Sequence, residues 1–134
     1  MMTGGCHCGA IRYELAGDPH DHTLCHCTDC RRHAGAPMVG WAMYPVAALT
    51  ITRGEAKVYK SSESGRRHFC AACGTGLFYV NEATLPGMID VQSSTFDDPD
   101  QMPPQIHIQT AERLSWMAEA HSLPTYERYP PAKS

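Results

Sequence analysis

The segment Cys25-His26-Cys27-Thr28-Asp29-Cys30 places three of the chain's seven cysteines within six residues, and two arginines and a histidine follow it at positions 31–33. A short turn through Thr28 and Asp29 would bring all three sulfurs close enough to bind one ion. Zinc held by four protein ligands is structural, whereas zinc held by three keeps one position for a reactant. This three-cysteine site therefore predicts a metal ion with an open position, and with it a chemical function.

The other four cysteines form two pairs. Cys6-His7-Cys8-Gly9 lies near the N-terminus, and Cys70-Ala71-Ala72-Cys73-Gly74 lies in the middle of the chain. In the second pair, Gly74 permits a sharp backbone turn after the second sulfur. A tight cysteine pair supplies two ligands and needs a distant pair to complete a tetrahedron, so the two pairs predict one structural zinc ion and folding coupled to metal binding. The ligands of this four-cysteine site are Cys6, Cys8, Cys70 and Cys73.

Four histidines are candidates for a fourth ligand at the three-cysteine site: His7, His26, His33 and His68. In an extended segment His26 points away from its two cysteine neighbours, and His7 has the same orientation between its own. His33 lies about one helical turn beyond Cys30 and is the alternative to an open or water-filled position. A single structural zinc ion with spare buried cysteines is also possible, as is an iron–sulfur cluster, whose usual spacings the chain does not match. We predict two zinc ions per chain.

A chain of 134 residues is short enough for a single core. We predict one domain over residues 1–134, with an ordered core of about 3–128 and a frayed C-terminal end. The net charge of −3 and the lack of a basic stripe argue against a nucleic-acid partner. No apolar run is long enough to span a membrane. The odd cysteine number and an N-terminus without an apolar signal core favour a reducing, cytoplasmic location.

Short alternating apolar runs predict a mainly β protein. Ile11, Tyr13 and Leu15 alternate with other residues, which is typical of a half-buried strand. One or two short helical turns are expected, the first over residues 28–34 with Thr28 or Asp29 as its cap, and the second within 110–120. Further strands are expected over 38–44, 49–52, 56–60, 66–70, 88–95 and 105–109, and the segments 56–60 and 66–70 are typical of a hairpin.

These motifs resemble the glutathione-dependent formaldehyde-activating enzyme family, whose domain is shared with centromere protein V. The resemblance implies a small zinc-bearing domain of the β-tent type and carbon–sulfur lyase activity. It also implies a structural zinc ion at the four-cysteine site and a catalytic zinc ion on Cys25, Cys27 and Cys30. The matching segments are 5–9, 25–32, 35–37, 69–74 and 87–90.

We therefore predict a zinc-dependent carbon–sulfur lyase that acts on a small thiol adduct such as S-hydroxymethylglutathione. Arg31, Arg32 and Trp116 are the predicted substrate-binding residues, because arginine holds carboxylates through a planar fork and offsets thiolate charge. Asp90 is a candidate general base, although a carboxylate after an apolar strand residue more often satisfies a turn. Two different functions are also compatible with the motifs: a non-catalytic zinc-stabilised binding module, and a zinc or redox sensor that uses the three thiolates.

Overall fold

A computed structural model describes residues 1–132; residues 133 and 134, which the predicted domain and its frayed end include, lie outside the described residues. The described chain is mainly β, with one seven-residue α-helix and several short 3₁₀ turns, which confirms the predicted fold class. The predicted domain limits stay a prediction. The strands are β1 Met2–Gly5, β2 Arg12–Leu15, β3 Asp21–Cys25, β4 Val39–Pro45, β5 Leu49–Arg53, β6 Lys57–Lys60, β7 Gly65–Phe69, β8 Gly76–Asn81, β9 Met88–Gln92 and β10 Ile106–Ile108. The helix α1 is Thr28–Ala34, and the 3₁₀ turns are Val46–Ala48, Ser93–Thr95, Pro99–Gln101, Thr110–Glu112 and Ser115–Ser122.

The strands form two sheets. The small sheet has three strands in the order β1-β2-β5, and the large sheet has seven in the order β10-β3-β4-β9-β8-β7-β6. Every pairing is antiparallel except that of β10 with β3, which is parallel. Within residues 1–132, the helices are too short or too polar to cross a lipid bilayer.

Strand β4 separates two apolar clusters, because its side chains alternate between the two faces of the large sheet. Ala42 and Tyr44 are fully buried in the main core, which also contains residues of the small sheet. Trp41 points to the opposite face and packs with Cys25 and Cys30. The three-cysteine site therefore lies on the face of the large sheet that is turned away from the main core.

The main core fills the space between the two sheets. Leu15 of β2, Leu77 of β8 and Val91 of β9 are all 0 % exposed. Full burial of one such side chain contributes about 1.5–3 kcal/mol to stability. The conformational entropy that the chain loses on folding opposes this contribution. The main core thus holds the two sheets together at their centres. A link between the sheet edges would stabilise the domain further.

Strands β1 and β3 were not expected from the sequence. β1 contains two adjacent glycines, which are unfavourable in strands; a side chain on Gly4 would collide with the Tyr13 hydroxyl group and the Thr95 carbonyl group. The backbone at Gly4 therefore needs glycine because its neighbours approach so closely. β3 begins with the polar side chains of Asp21 and His22, yet His22 is buried.

Candidate metal centres

The four-cysteine site brings the two predicted cysteine pairs together. The sulfurs of Cys6, Cys8, Cys70 and Cys73 all lie within 4.8 Å of one another. The Sγ–Sγ distance is 3.7 Å between Cys6 and Cys8 and 3.8 Å between Cys8 and Cys70, much longer than a disulfide bond of about 2.05 Å. Tetrahedral zinc with Zn–S bonds of about 2.3 Å would separate its sulfurs by about 3.8 Å. The thiols therefore fit a zinc ion in both number and spacing.

Two loops present these four thiols. Gly9 and Gly74 have φ values of 81° and 85°, a left-handed conformation that favours glycine. The Gly74 amide donates to the Cys70 carbonyl at 2.8 Å, as expected for the sharp turn predicted there. The first loop leaves the small sheet between β1 and β2, and the second connects β7 to β8 in the large sheet. The site therefore joins the two sheets at one edge of the main core.

The three-cysteine site forms where β3 runs into α1. The sulfurs of Cys25, Cys27 and Cys30 all lie within 4.8 Å of one another. Cys27 itself caps the helix, because its Sγ accepts a hydrogen bond from the Cys30 amide at 3.2 Å. The predicted cap was wrong: Thr28 and Asp29 are already in the first helical turn. The helix cap and a candidate metal ligand are therefore the same side chain.

Among residues 1–132, the mutually close ligand atoms at this site are three sulfurs without a histidine nitrogen. His26 does point away from its cysteine neighbours, and its Nε2 atom lies 2.8 Å from Nδ1 of His107. His33 stacks on Tyr59 with ring centroids 6.2 Å apart. Three candidate protein ligands are therefore brought together at this site. This number supports an open fourth position, which stays a prediction.

A cavity of about 500 Å³ opens onto the three thiols. Its volume falls within the range of roughly 300–1,000 Å³ that is usual for small-molecule sites. Trp41 contributes an apolar wall, with Ile106 and Ile108 of β10 beside it. All three cysteines line this cavity, so a small molecule inside it would lie next to their sulfurs.

A row of five side chains crosses the large sheet along this cavity. Backbone pairing places Asp21 of β3 opposite Met43 of β4, and Met43 opposite Asp90 of β9. Asp90 pairs in turn with Tyr79 of β8, and Tyr79 pairs with Arg67 of β7. Directly paired residues point to the same face of a sheet, and all five line the cavity. This cross-strand row brings two carboxyl groups, a phenol and a guanidinium to the three thiols.

Arg67 provides the positive charge beside the thiols. Its Nη2 and Nη1 atoms lie 3.7 and 3.8 Å from Cys30 Sγ, and its Cζ lies 4.7 Å from the centroid of the Tyr79 ring. The arginine is only 5 % exposed, so its charge acts with little screening by water. The pKa of the Cys30 thiol is lowered to about 5, chiefly by hydrogen bonding with Cys25 and to a smaller extent by Cys27 and Arg67.

No role in the site was predicted from the sequence for Arg67. Alternation within β7 places Arg67 on the inward face with Gly65, and both are buried. The residues of β7, Gly-Arg-Arg-His-Phe, do not alternate between apolar and polar, so the sequence did not distinguish Arg67 from Arg66. The order in which β7, β8 and β9 pair was also needed to bring Arg67 to the cysteines.

The three predicted substrate-binding residues lie together, outside the cavity. Arg31, Arg32 and Trp116 line a second, shallow depression, where Trp116 is 53 % exposed. The Arg31 guanidinium donates to the His26 carbonyl at 3.2 Å and to the Thr28 hydroxyl at 3.2 Å, so it also supports the start of α1. Their role in substrate binding stays a prediction.

Replacing Arg67 by methionine is expected to weaken zinc binding at the three-cysteine site by about 10- to 100-fold. Hydrogen bonds to a charged group contribute roughly 1.5–3 kcal/mol, and their loss leaves the thiolate charge without its buried partner. Competition with a chromogenic chelator measures the affinity of each site. Arg66→Met is the matched control, because Arg66 donates to the backbone oxygens of Ser62 and Glu63 in the hairpin. Equal affinities in the two variants would contradict the role of Arg67.

Comparisons with known proteins identify a family and similar chains. A sequence model of the family described as "Glutathione-dependent formaldehyde-activating enzyme" matches residues 1–112. A Halomonas elongata protein named "Putative glutathione-dependent formaldehyde-activating enzyme" is 25% identical over 126 residues, which cover 87% of this chain and 80% of that protein. A Schizosaccharomyces pombe protein named as an uncharacterized lyase is 29% identical over 77 residues, 58% of this chain and 56% of the relative.

A similar fold is found among solved structures. One of them is a Rhodobacter sphaeroides protein with a TM-score of 0.64 and 23% sequence identity, and the match covers 79% of this chain and 99% of that one. At this identity the likeness concerns the fold alone.

Proposed function

The chain belongs to the glutathione-dependent formaldehyde-activating enzyme family, and from that premise we propose that it is a zinc-dependent carbon–sulfur lyase acting on the hydroxymethyl adduct of a small thiol. Membership makes the chain an enzyme of the lyase-like, formaldehyde-activating type. The observation that carries the finer proposal is the convergence of Cys25, Cys27 and Cys30 on one wall of a cavity large enough for a small thiol.

The two cysteine sites divide into one for structure and one for chemistry. Thiolates are soft ligands that suit zinc. Within each of the two sites, the sulfurs are close enough together to bind one ion. The four-cysteine site has the full set of ligands of a structural zinc site. At the three-cysteine site a zinc ion would supply a positive charge that lowers the pKa of a thiol.

The proposed reaction is the reversible breakdown of an S-hydroxymethyl thiol. The carbon–sulfur bond breaks and its electron pair stays on sulfur as a thiolate. The hydroxyl group loses its proton, and the electron pair of that O–H bond forms the second carbon–oxygen bond of formaldehyde. The buried Arg67 guanidinium next to Cys30 stabilises the negative charge that gathers on the sulfurs.

The cavity wall bears on how glutathione would lie in it. Asp21, Asp90 and Glu112 are among the wall residues, whereas Arg67 is already engaged by Cys30. These carboxyl groups would attract the ammonium group of glutathione and repel its two carboxylates, which would lie further from the wall. Glu112 also accepts a hydrogen bond from Arg31 at its backbone oxygen, which puts this predicted substrate-binding residue beside the cavity wall.

The proposed reaction is expected to be visible as faster exchange between formaldehyde and its glutathione adduct. In ¹³C exchange spectroscopy with labelled formaldehyde, protein carrying two zinc ions should raise the exchange rate at least about tenfold over the spontaneous rate, because general catalytic groups typically contribute more than this. Protein treated with a chelator until it retains one zinc ion is the control. A fully loaded protein that leaves the spontaneous rate unchanged would contradict the proposal.

Family membership also bears on the two competing functions. It favours the enzyme over a non-catalytic binding module. The zinc or redox sensor uses the same three thiols and stays a prediction.

A further inference from the structure

We propose that Asp90 is the residue that takes the hydroxyl proton from the thiol adduct as its carbon–sulfur bond breaks, and returns it in the reverse direction. This role rests on the proposed function. It supplies what the three cysteines do not, because thiolates that bind a metal ion carry no proton to exchange.

The position of Asp90 is fixed by the large sheet. It lies on β9 in the cross-strand row, between Met43 on β4 and Tyr79 on β8. Its carboxyl group lines the same cavity as the three cysteines. A small adduct whose sulfur lies beside the cysteines would therefore keep its hydroxymethyl group within the space that Asp90 borders.

The Asp90 carboxyl group is also free to react. Within residues 1–132 its oxygens take part in neither a hydrogen bond nor an ion pair, although they lie in a half-buried position. By comparison, Asp97 accepts hydrogen bonds from Arg12 and Thr3, so its oxygens are engaged. A half-buried carboxyl group without a partner is costly for folding, and such a cost is expected where the group serves a substrate.

The surroundings of Asp90 suit proton exchange near neutral pH. Burial, followed by the negative charges of Asp21 and Cys30, raises the pKa of Asp90 to about 7. A group with a pKa near the working pH is present in both its basic and its acidic form. The charged and titratable groups that face the same cavity are Asp21 on β3, Cys25, Cys27 and Cys30 at the β3–α1 junction, Asp29 on α1, Arg67 on β7, Tyr79 on β8 and Glu112 after β10.

The other groups of the cavity are less suited to this step. Glu112 accepts a hydrogen bond from the Thr28 amide at 3.0 Å, which keeps its carboxylate ionised. The Tyr79 hydroxyl accepts a hydrogen bond from Asn81 at 3.0 Å. Asp21 lies 3.5 Å from the His20 ring, and its side chain is 35 % exposed. Asp90 is thus the carboxyl group that combines partial burial with unpaired oxygens.

The proton balance of the step is simple. In the lyase direction the Asp90 carboxylate accepts the proton of the hydroxymethyl oxygen while the carbon–sulfur electron pair moves to sulfur, leaving formaldehyde, a thiolate and protonated Asp90. In the reverse direction the thiolate attacks formaldehyde, and protonated Asp90 gives its proton to the new oxyanion. The lyase rate should therefore rise with pH through about 7, as Asp90 becomes ionised.

Asp90→Asn is the direct test, since asparagine has nearly the same shape but does not take up the proton. We expect the exchange rate to fall by on the order of 100-fold, with two zinc ions retained and the inflection in the pH profile abolished. Asp21→Asn is the matched control from the same row. It should keep an inflection in the pH profile but move it to lower pH, because it removes a negative charge that raises the pKa of Asp90.

A second readout does not depend on turnover. A ¹³C-carboxyl titration of labelled aspartate in the zinc-loaded protein should contain one signal whose inflection lies above the usual range of an aspartate, which disappears in Asp90→Asn and moves down in Asp21→Asn. An Asp90→Asn variant with wild-type rate and pH profile would overturn the inference, and so would loss of zinc from that variant, since Asp90 would then be a metal ligand. An inactive wild-type protein would instead refute the proposed function itself.

Discussion

Changing Cys73 to serine is expected to unfold the domain or leave it insoluble. Structural zinc sites contribute apparent binding free energies of about 10–16 kcal/mol in small zinc-binding peptides, which is comparable with the whole stability of a domain, about 5–15 kcal/mol. Cys73 is one of the four thiols whose sulfurs lie within 4.8 Å of one another, and the loops that they hold belong to different sheets. Serine supplies a hydroxyl group that binds zinc poorly.

Thermal denaturation followed by circular dichroism, together with zinc analysis, measures this effect. Thr75→Val is the control, because it removes the hydroxyl group that lies 3.2 Å from Cys73 Sγ while leaving all four thiols in place. We expect the control to fold with two zinc ions. A Cys73→Ser protein that melts within a few degrees of the wild type would show that the main core holds the sheets together without the metal.

The second large effect is expected at Cys30. Replacing it by serine should lower the thiol-dependent activity at least about 1,000-fold and reduce the zinc content from two ions per chain to one. The domain should stay folded, because Cys30 lies on the cavity face of the large sheet and outside the main core. A modest loss of stability is expected, since Arg67 loses the sulfur that its guanidinium faces.

Zinc analysis and the formaldehyde exchange assay on the same preparation test this expectation. Ser94→Ala is a suitable control for the handling of a variant protein, since Ser94 is exposed and belongs neither to a cysteine site nor to the cavity lining. Retained turnover in Cys30→Ser would remove the three-cysteine site from the mechanism. Loss of the fold would instead give this site the structural role that we assign to the other one.

Features that depend on neighbouring residues were predictable from the sequence. Alternation at Ile11, Tyr13 and Leu15 indicated a strand, and all three side chains are buried in the main core. Short cysteine spacings indicated which thiols would meet, and both groups assemble as expected. The helix over residues 28–34 has the predicted limits, because Gly35 ends it in a left-handed conformation with φ of 65°.

Features that depend on strand order were not predictable in the same way. Asp21, Asp90 and Arg67 share one cavity because β3, β4, β9, β8 and β7 are neighbours in the large sheet, an order that differs from their order in the chain. Asp90 was a candidate general base on the predicted strand over residues 88–95, but the strands that pair beside it could not be identified from the sequence. The capping role of Cys27 was missed because cysteine is an unusual helix cap.

The position of the two cysteine sites, in contact with opposite faces of one sheet, has a consequence for how such proteins diverge. Substitutions on the cavity face can alter the chosen thiol, the bound ion or the chemistry, while the residues that join the sheets stay the same. Natural variation is therefore expected to concentrate on one side of the β4 and β9 strands. Descendants of one ancestor can in this way keep a common architecture and still differ in what they catalyse.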